Sequence, residues 1–586
     1  MYTSYNGRYG VVGPPGTGKT TFLARQVREI VDRSATRPEG GSPVLVSSLT
    51  RAAAAEIGGR DLPIPAEAVG TLHAHAFRAL DRPTIATGEN VADWNATHGQ
   101  WGLSEGASRS DDLETVDDVG GPANTEGDRL KEAYDLVRHR LTPTDLWQSP
   151  GYKIGDVTSD ELVRFADAWE EWKTSSGTMD FTDLISAGMS VEAPFDPDVL
   201  VVDEVQDLSA LEWELVKAWS HKRALIAVGD PWQSLYEWRG AHPELFDSID
   251  PERLKILSKS YRVPRKIVLA ALEWMRGKSN IRRDISYEPR SGPNGPVEGD
   301  ICFRHDITPS NPDRIIAEAE EKARSGRTVM IAATCSYMLG GVLGRLRSLG
   351  IPYANPWRVK RGDWNPISTR GTTAFGRMLS FLSPATRPGL WTWSEAEDWI
   401  TKIGTKGTLR HGAKKWVEEK AKANPSEVAT SNELAPWILD SSLWPVIESI
   451  RGKGITAETV EAAFGWLRPR LPDQASKTFE YARAVLTRSG PSAATDKPRI
   501  YVGTIHSFKG AEADDVYLFT ELPPKARESF RNADVVGMNS VARTFYVGLT
   551  RARESVTVCG TSSAADRSVH ALGKWIESAA SAAGVL

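Results

Sequence analysis

Gly13-Pro14-Pro15-Gly16-Thr17-Gly18-Lys19-Thr20 satisfies the spacing G-x-x-x-x-G-K-[ST], which is built to hold a polyphosphate. Backbone N–H groups of such a loop surround phosphate oxygens, the lysine reaches the β- and γ-phosphates, and the hydroxyl of Thr20 suits a Mg²⁺ ligand. Thr21 follows as a further candidate contact of the nucleotide. A second cluster, Asp203-Glu204-Val205-Gln206-Asp207, supplies carboxylates. Asp203 is suited to Mg²⁺, and Glu204 to orienting and deprotonating an attacking water. The two clusters together predict hydrolysis of a nucleoside triphosphate.

The elements needed to position them are legible nearby. Gly10–Val12 reads as the end of a short apolar strand, and Phe22, Leu23, Val27 and Ile30 recur at helical spacing. The glycines therefore fall between a strand and a helix N-terminus, where the helix dipole favours phosphate. Val199–Val202 is an unbroken apolar run of the kind found in buried parallel strands, and it delivers Asp203 at its C-terminal edge. A third apolar run, Ala224–Gly229, precedes Asp230-Pro-Trp-Gln-Ser-Leu-Tyr-Glu-Trp-Arg-Gly-Ala241.

That last segment carries a resemblance. It is similar to the G-D-x-x-Q-S-I-Y-x-F/W-R-G-A segment of UvrD/Rep/PcrA-type helicases of superfamily 1, as Asp203–Asp207 is to their D-E-x-Q-D. Further similar segments follow in the family's order: SSLTRAAAAEI (47–57), VGTLHAHAFRAL (69–80), MDFTDLI (179–185), LSKSYRVPRKIV (257–268), VGTIHSFKGAEADDVYLF (502–519) and RTFYVGLTRARESVTV (543–558). The resemblance implies an α/β fold of two RecA-like parallel-sheet motor domains, each interrupted by a mostly helical insertion. It implies an ATP-dependent DNA helicase moving 3′→5′ on single-stranded DNA, using ATP and Mg²⁺, with single-stranded and tailed duplex DNA as partners. Gln233, Arg262 and Arg551 would join Glu204 in catalysis, the arginines acting on the γ-phosphate from the second motor. Tyr261 would stack on the base and Glu512 would take the ribose hydroxyls. Thr71, His73, Tyr236, Trp238, Arg239, His506 and Lys509 would face DNA, with phosphate contact or coupling expected of the last two. His75 has no counterpart in the family and reads as structural.

Departures bear on the expectations. Leu49 stands where the family has an aromatic and Ala52 where it has a lysine, so the first motor is expected to grip single strands less tightly, with Arg51 offsetting the charge. No Gln lies among Met1–Gly18 to match the family's adenine reader. A stacked Tyr261 accepts any purine, so GTP is expected to be hydrolysed at a rate comparable to ATP. The insertions look shorter than in familiar members.

Boundaries follow from the segments: a first motor at 1–80 and 178–256, a first insertion at 81–177, a second motor at 257–367 and 490–586, and a second insertion at 368–489. Within the first insertion, Leu130, Tyr134, Val137 and Leu141 recur at helical spacing, as do Phe165, Trp169 and Trp172. The polar stretch 97–128 reads as loop or local disorder. The 586 residues carry a net charge of −5, so DNA binding must come from a local groove. Among 20 tryptophans, most are expected in the core and several where a base could stack. Cys302, Cys335 and Cys559 lack metal-site spacing. No leader or apolar span is evident, so the expectation is cytoplasmic, without membrane contact and with any loading partner unidentified. Two further readings stay open: a single-strand translocase that displaces proteins and unwinds poorly, and a regulatory subunit with a vestigial ATPase. An RNA substrate is excluded by family habit alone.

Overall fold

The computed structural model describes residues 7–34, 41–104, 125–279, 285–358, 361–368, 373–532, 534–561 and 567–586. Two parallel sheets organise the chain. The first has six strands in the order 69–70, 44–47, 199–202, 224–229, 8–12, 254–256, each parallel to its neighbour. The second has five, in the order 300–304, 552–559, 513–519, 329–333, 500–504, again all parallel.

The unbroken apolar runs exist because both faces of each sheet are covered. Val199 and Val201 pack beneath the helix Lys19–Arg33 with Phe22, Leu23, Val27 and Ile30. Leu200 and Val202 point to the opposite face, against Leu72, Leu184, Leu215 and Trp219 from three other helices. The second sheet divides in the same way. Met330, Ala332, Leu518 and Val556 face the helices Arg265–Lys278, Val535–Leu549 and Arg567–Ala582.

Residues 89–97, 126–139 and 159–176 form helices around a separate core of Trp94, Leu130, Tyr134, Val137, Phe165 and Trp169. Leu141 does not share it: the helix ends at His139, and Leu141 takes a left-handed φ of 51° and is exposed. Of the stretch 97–128, residues 105–124 lie outside the described residues, and the helix Glu126–His139 begins inside its far end.

Helices between 374 and 489 join the core on the other face of the second sheet. Trp391, Trp393, Trp399 and Trp466 are buried there, and Trp416, Trp437 and Trp444 are half-buried against it. These tryptophans are therefore largely packing residues. Among the described residues no helix is long and apolar enough to cross a membrane.

Candidate active site

The phosphate loop leaves the strand Arg8–Val12 and enters its helix through Gly18, at φ 77°. No side chain caps this helix and no acidic residue occupies its first turn, so its N–H groups stay available to an anion. Lys19 Nζ donates to the Gly13 carbonyl at 2.9 Å, curling back over the loop. Thr17 Oγ1 donates to Pro14 O at 2.8 Å and holds the turn. Thr21, expected at the nucleotide, is exposed, and its hydroxyl accepts from Arg60 Nη1 at 3.1 Å.

Asp203 and Glu204 stand at the end of the strand Val199–Val202, two strands away from the loop's own. Glu204 adopts φ 54°, ψ 39°, a left-handed conformation that costs a non-glycine residue energy and is concentrated at functional sites. Gln206 Nε2 donates to Glu204 and, at 3.2 Å, to Asp207. Its carbonyl accepts from Asp230 N at 2.9 Å. Burial and the adjacent Glu204 push Asp203 up to about 7, against the pull of Lys19. Burial acts on Glu204 too, but Lys509 and Lys19 outweigh it and hold its pKa below the usual carboxylate value. Asp203 Oδ1 is buried with no hydrogen-bond partner. An unmatched carboxylate oxygen facing a second carboxylate and a threonine-bearing phosphate loop fits a divalent cation. Among the described residues no group of three or more His, Cys, Asp or Glu could hold a metal by itself, so the remaining ligands would have to be phosphate and water.

Residues far along the chain complete the cleft. Tyr261 N donates to Gly16 O at 2.8 Å, while Ser260 Oγ and Tyr287 OH both donate to Pro15 O, at 3.1 and 2.9 Å. A Cβ on Gly16 would lie 2.5 Å from that of Arg262, so this approach requires glycine. Tyr261 is 68% exposed beside Gly18, open to stacking. Arg262 Nε donates to Glu512 Oε2 at 2.6 Å, and Glu512 also lies 3.2 Å from Arg553 Nη1. Both are engaged with each other, where a γ-phosphate and a ribose were expected. Arg551 is fully buried, and burial with Arg262 nearby lowers its pKa to about 9. Its Nη2 donates to Gln233 Oε1 at 3.1 Å, and Gln233 Nε2 donates to Asp230 at 2.7 Å.

The seven DNA candidates are unevenly placed. Trp238 is 36% exposed and Arg239 is half-buried. Tyr236 is buried and lines a recess with Leu49, Arg239 and His139. Thr71 is buried as the N-cap of the helix Leu72–Ala79, accepting from Ala74 N. His73 is buried 4.0 Å from Glu212. His506 is buried, which lowers its pKa to about 4. Lys509 departs furthest from an expected phosphate contact: nearly enclosed, it pairs with Asp207 and lies 3.7 Å from Glu204. Burial opposes its charge, but the two carboxylates raise it to about 12. His75 donates from Nε2 to Val46 O at 3.0 Å as a buried structural group. The side chains of Arg51 and Ala52, and residues Met1–Asn6, lie outside the described residues.

Sequence reasoning did not single out Ser260, Tyr287 or the internal role of Gln206. The first stands next to Tyr261 and the last inside the acidic segment, so adjacency could have found them. Tyr287 carries no local signal.

Comparison with known proteins agrees with this geometry. Residues 1–253 match the UvrD/REP helicase N-terminal domain and residues 479–563 the UvrD-like helicase C-terminal domain, together more than half of the chain. YjcD of Bacillus subtilis (strain 168) is 22% identical over 94% of this chain and 76% of its own length. ATP-dependent DNA helicase PcrA of the same organism is 25% identical over 45% of this chain and 37% of PcrA. ATP-dependent DNA helicase Rep of Buchnera aphidicola subsp. Baizongia pistaciae (strain Bp) is 33% identical over 19% of each. The chain thus aligns with most of YjcD but with less than half of PcrA.

Proposed function

This chain belongs to the UvrD-like family of ATP-dependent DNA helicases, and from that premise we propose that it travels 3′→5′ along single-stranded DNA and separates duplex ahead of it. The observation that carries the reading is the composite cleft. Lys19, Asp203, Glu204 and Gln233 come from the first sheet unit, whereas Tyr261, Arg262 and Arg551 come from chain that runs into the second. A nucleotide bound there touches both units, so its hydrolysis changes their spacing. We assign the motors and insertions the boundaries expected from sequence.

Within the cleft, the loop amides and Lys19 bind the β- and γ-phosphates, and Tyr261 stacks on the base. Glu204, ionised because Lys509 and Lys19 favour its charge, takes the proton of the attacking water. Arg551, and Arg262 once released from Glu512, meet the charge of the transferring phosphoryl group. Thr20 and Asp203 would hold Mg²⁺, which when bound neutralises phosphate charge. The direction of travel rests on the likeness of QSLYEWRGA and DFTDL to the 3′→5′ branch. A single-strand translocase that displaces proteins is the second reading, favoured by aliphatic Leu49 in the recess beside Tyr236.

ATPase and strand-displacement assays on 3′-tailed, 5′-tailed and blunt duplexes test the proposal. The expected result is turnover stimulated by single strands and unwinding of the 3′-tailed duplex. ATPase indifferent to DNA refutes the motor, unwinding from a 5′ tail refutes the direction, and streptavidin displacement without unwinding selects the second reading. Glu204→Gln should keep nucleotide binding and lose turnover by about 10²–10⁴-fold, the usual worth of a general base.

A further inference from the structure

The segment Asp230–Arg239 of the first unit meets the helix Val535–Leu549 and the arginine beyond it at three places. At the nucleotide end, Arg551 Nη2 donates to Gln233 Oε1 at 3.1 Å. In the middle, the rings of Trp232 and Tyr546 stand edge to face, 5.5 Å apart. At the far end, Arg543 Nη1 donates to Glu237 Oε1, the arginine side chain 3% and the glutamate 21% exposed. Glu237 lies between Tyr236 and the solvent-facing Trp238.

We propose that the Glu237–Arg543 pair is a positioning latch, through which a strand seated at Trp238 sets the placement of Arg551 against the nucleotide. The proposal rests on the motor reading above and names how its two sites communicate.

Three features support it. Arg543 lies six residues before the helix ends at Leu549, about 9 Å along it, and Arg551 follows two residues beyond, so a displacement of the helix at Arg543 is carried to the base of Arg551. Second, Trp274 Nε1 donates to Ala542 O at 2.9 Å, tying this helix to Arg265–Lys278, which begins three residues after Arg262. Both γ-phosphate arginines therefore ride on the body that Arg543 grips. Third, the pair is half made. Glu237 Oε2 and Arg543 Nε are both buried without a hydrogen-bond partner. A guanidinium and a carboxylate joined by one bond gain by rotating into the two-bond fork, so the contact has a second, better arrangement for a DNA-bound state to occupy.

Glu237→Gln keeps the shape and removes the charge. At saturating oligo-dT, its kcat for ATP should fall about tenfold, the scale of coupling between contacting charged residues. Its DNA-free ATPase and its Kd for oligo-dT should stay within about twofold of wild type. Glu237→Asp should recover part of the stimulation, and Glu237→Gln/Arg543→Gln should be no worse than either single change, since both remove one contact. Full stimulation in Glu237→Gln, or multiplicative losses in the double variant, overturns the latch. Equal loss of basal and stimulated rates assigns the pair to folding alone and also overturns it. If the wild-type protein itself shows no stimulation by oligo-dT, the motor reading is what has failed.

Discussion

Tyr236 and Trp238 are two residues apart and differently placed: the first is buried beside Leu49 and Arg239, and the second is exposed to solvent. A base can therefore reach Trp238 without rearrangement of the fold. Trp238→Ala should weaken binding to oligo-dT by about 1–3 kcal/mol, one base–aromatic stack, with DNA-free ATPase retained. Loss of basal ATPase in a calorimetrically destabilised protein would make Trp238 a packing residue instead. A second residue-scale prediction concerns acid. Burial lowers His75 from 6.5 to about 4, and its Nε2–H donates to Val46 O. The unfolded chain binds this proton below about pH 6.5 and the folded protein does not, so stability is present above that pH and is lost as pH falls towards 4. At pH 5 the loss is about 2 kcal/mol. His75→Gln retains a donor and escapes the titration. Its stability relative to wild type should therefore improve by that amount between pH 7.5 and pH 5, read from paired thermal melts. A gap that does not change with pH would mean His75 already carries its charge in the folded state.

At the scale of elements, the helices Glu126–His139 and Ser159–Ser176 are held to the first sheet unit by ions. Asp180 caps the helix Phe181–Gly188 and accepts from Trp169 Nε1 at 2.9 Å, Arg138 Nη1 at 3.0 Å and Lys173 Nζ at 3.3 Å. Lys131 stands 3.5 Å away and also pairs with Asp135. Asp180 is buried, yet these cations hold its pKa well below the ordinary value despite the burial. Asp180→Asn removes the anion they share and leaves them Asp183 and Asp135, so it should destabilise by about 1–3 kcal/mol, the cost of one lost buried charged hydrogen-bond partner. Hydrogen exchange should show the opening first in Glu126–His139 and Ser159–Ser176. Exchange no faster than in wild type would assign the anchoring to the apolar core around Trp169. Such contacts mark the limit of what the chain discloses when read in one dimension. The phosphate loop, the acidic strand end and the helices around Phe165 and Trp169 were legible because each is local: a spacing, an apolar run, a period. Lys509 with Asp207 and Arg543 with Glu237 were not, because each pairs residues hundreds of positions apart that nothing but the packed fold brings together. The same holds for Tyr287 on the Pro15 carbonyl. Leu141 misled for a related reason, since helical spacing cannot report that a left-handed turn has already ended the helix. The tryptophans of 391–466 could be told from stacking platforms only once a core enclosed them.

On the scale of the whole molecule, the contacts between the two sheet units include, besides the packed rings of Trp232 and Tyr546, three charged or polar ones: Gln233 with Arg551, Asp207 with Lys509, Glu237 with Arg543. The first two lie at the proposed nucleotide site, and the third lies beside the proposed DNA site. Any ligand that favours one spacing of the units must then favour whatever else prefers that spacing. Linkage makes the effect reciprocal: the factor by which oligo-dT tightens nucleotide equals the factor by which nucleotide tightens oligo-dT. Turnover would obscure this in the native enzyme, so Glu204→Gln is the protein to measure, with ATP and Mg²⁺ held constant and both titrations followed by fluorescence. The expected factor is about 5–150-fold, the usual range of coupling between sites, and it should be the same in both directions. It should also diminish when Glu237→Gln is added, whereas the two separate affinities should not. A factor near one in both titrations would mean the cleft binds nucleotide without drawing the units together, and the contacts between them would then be static packing.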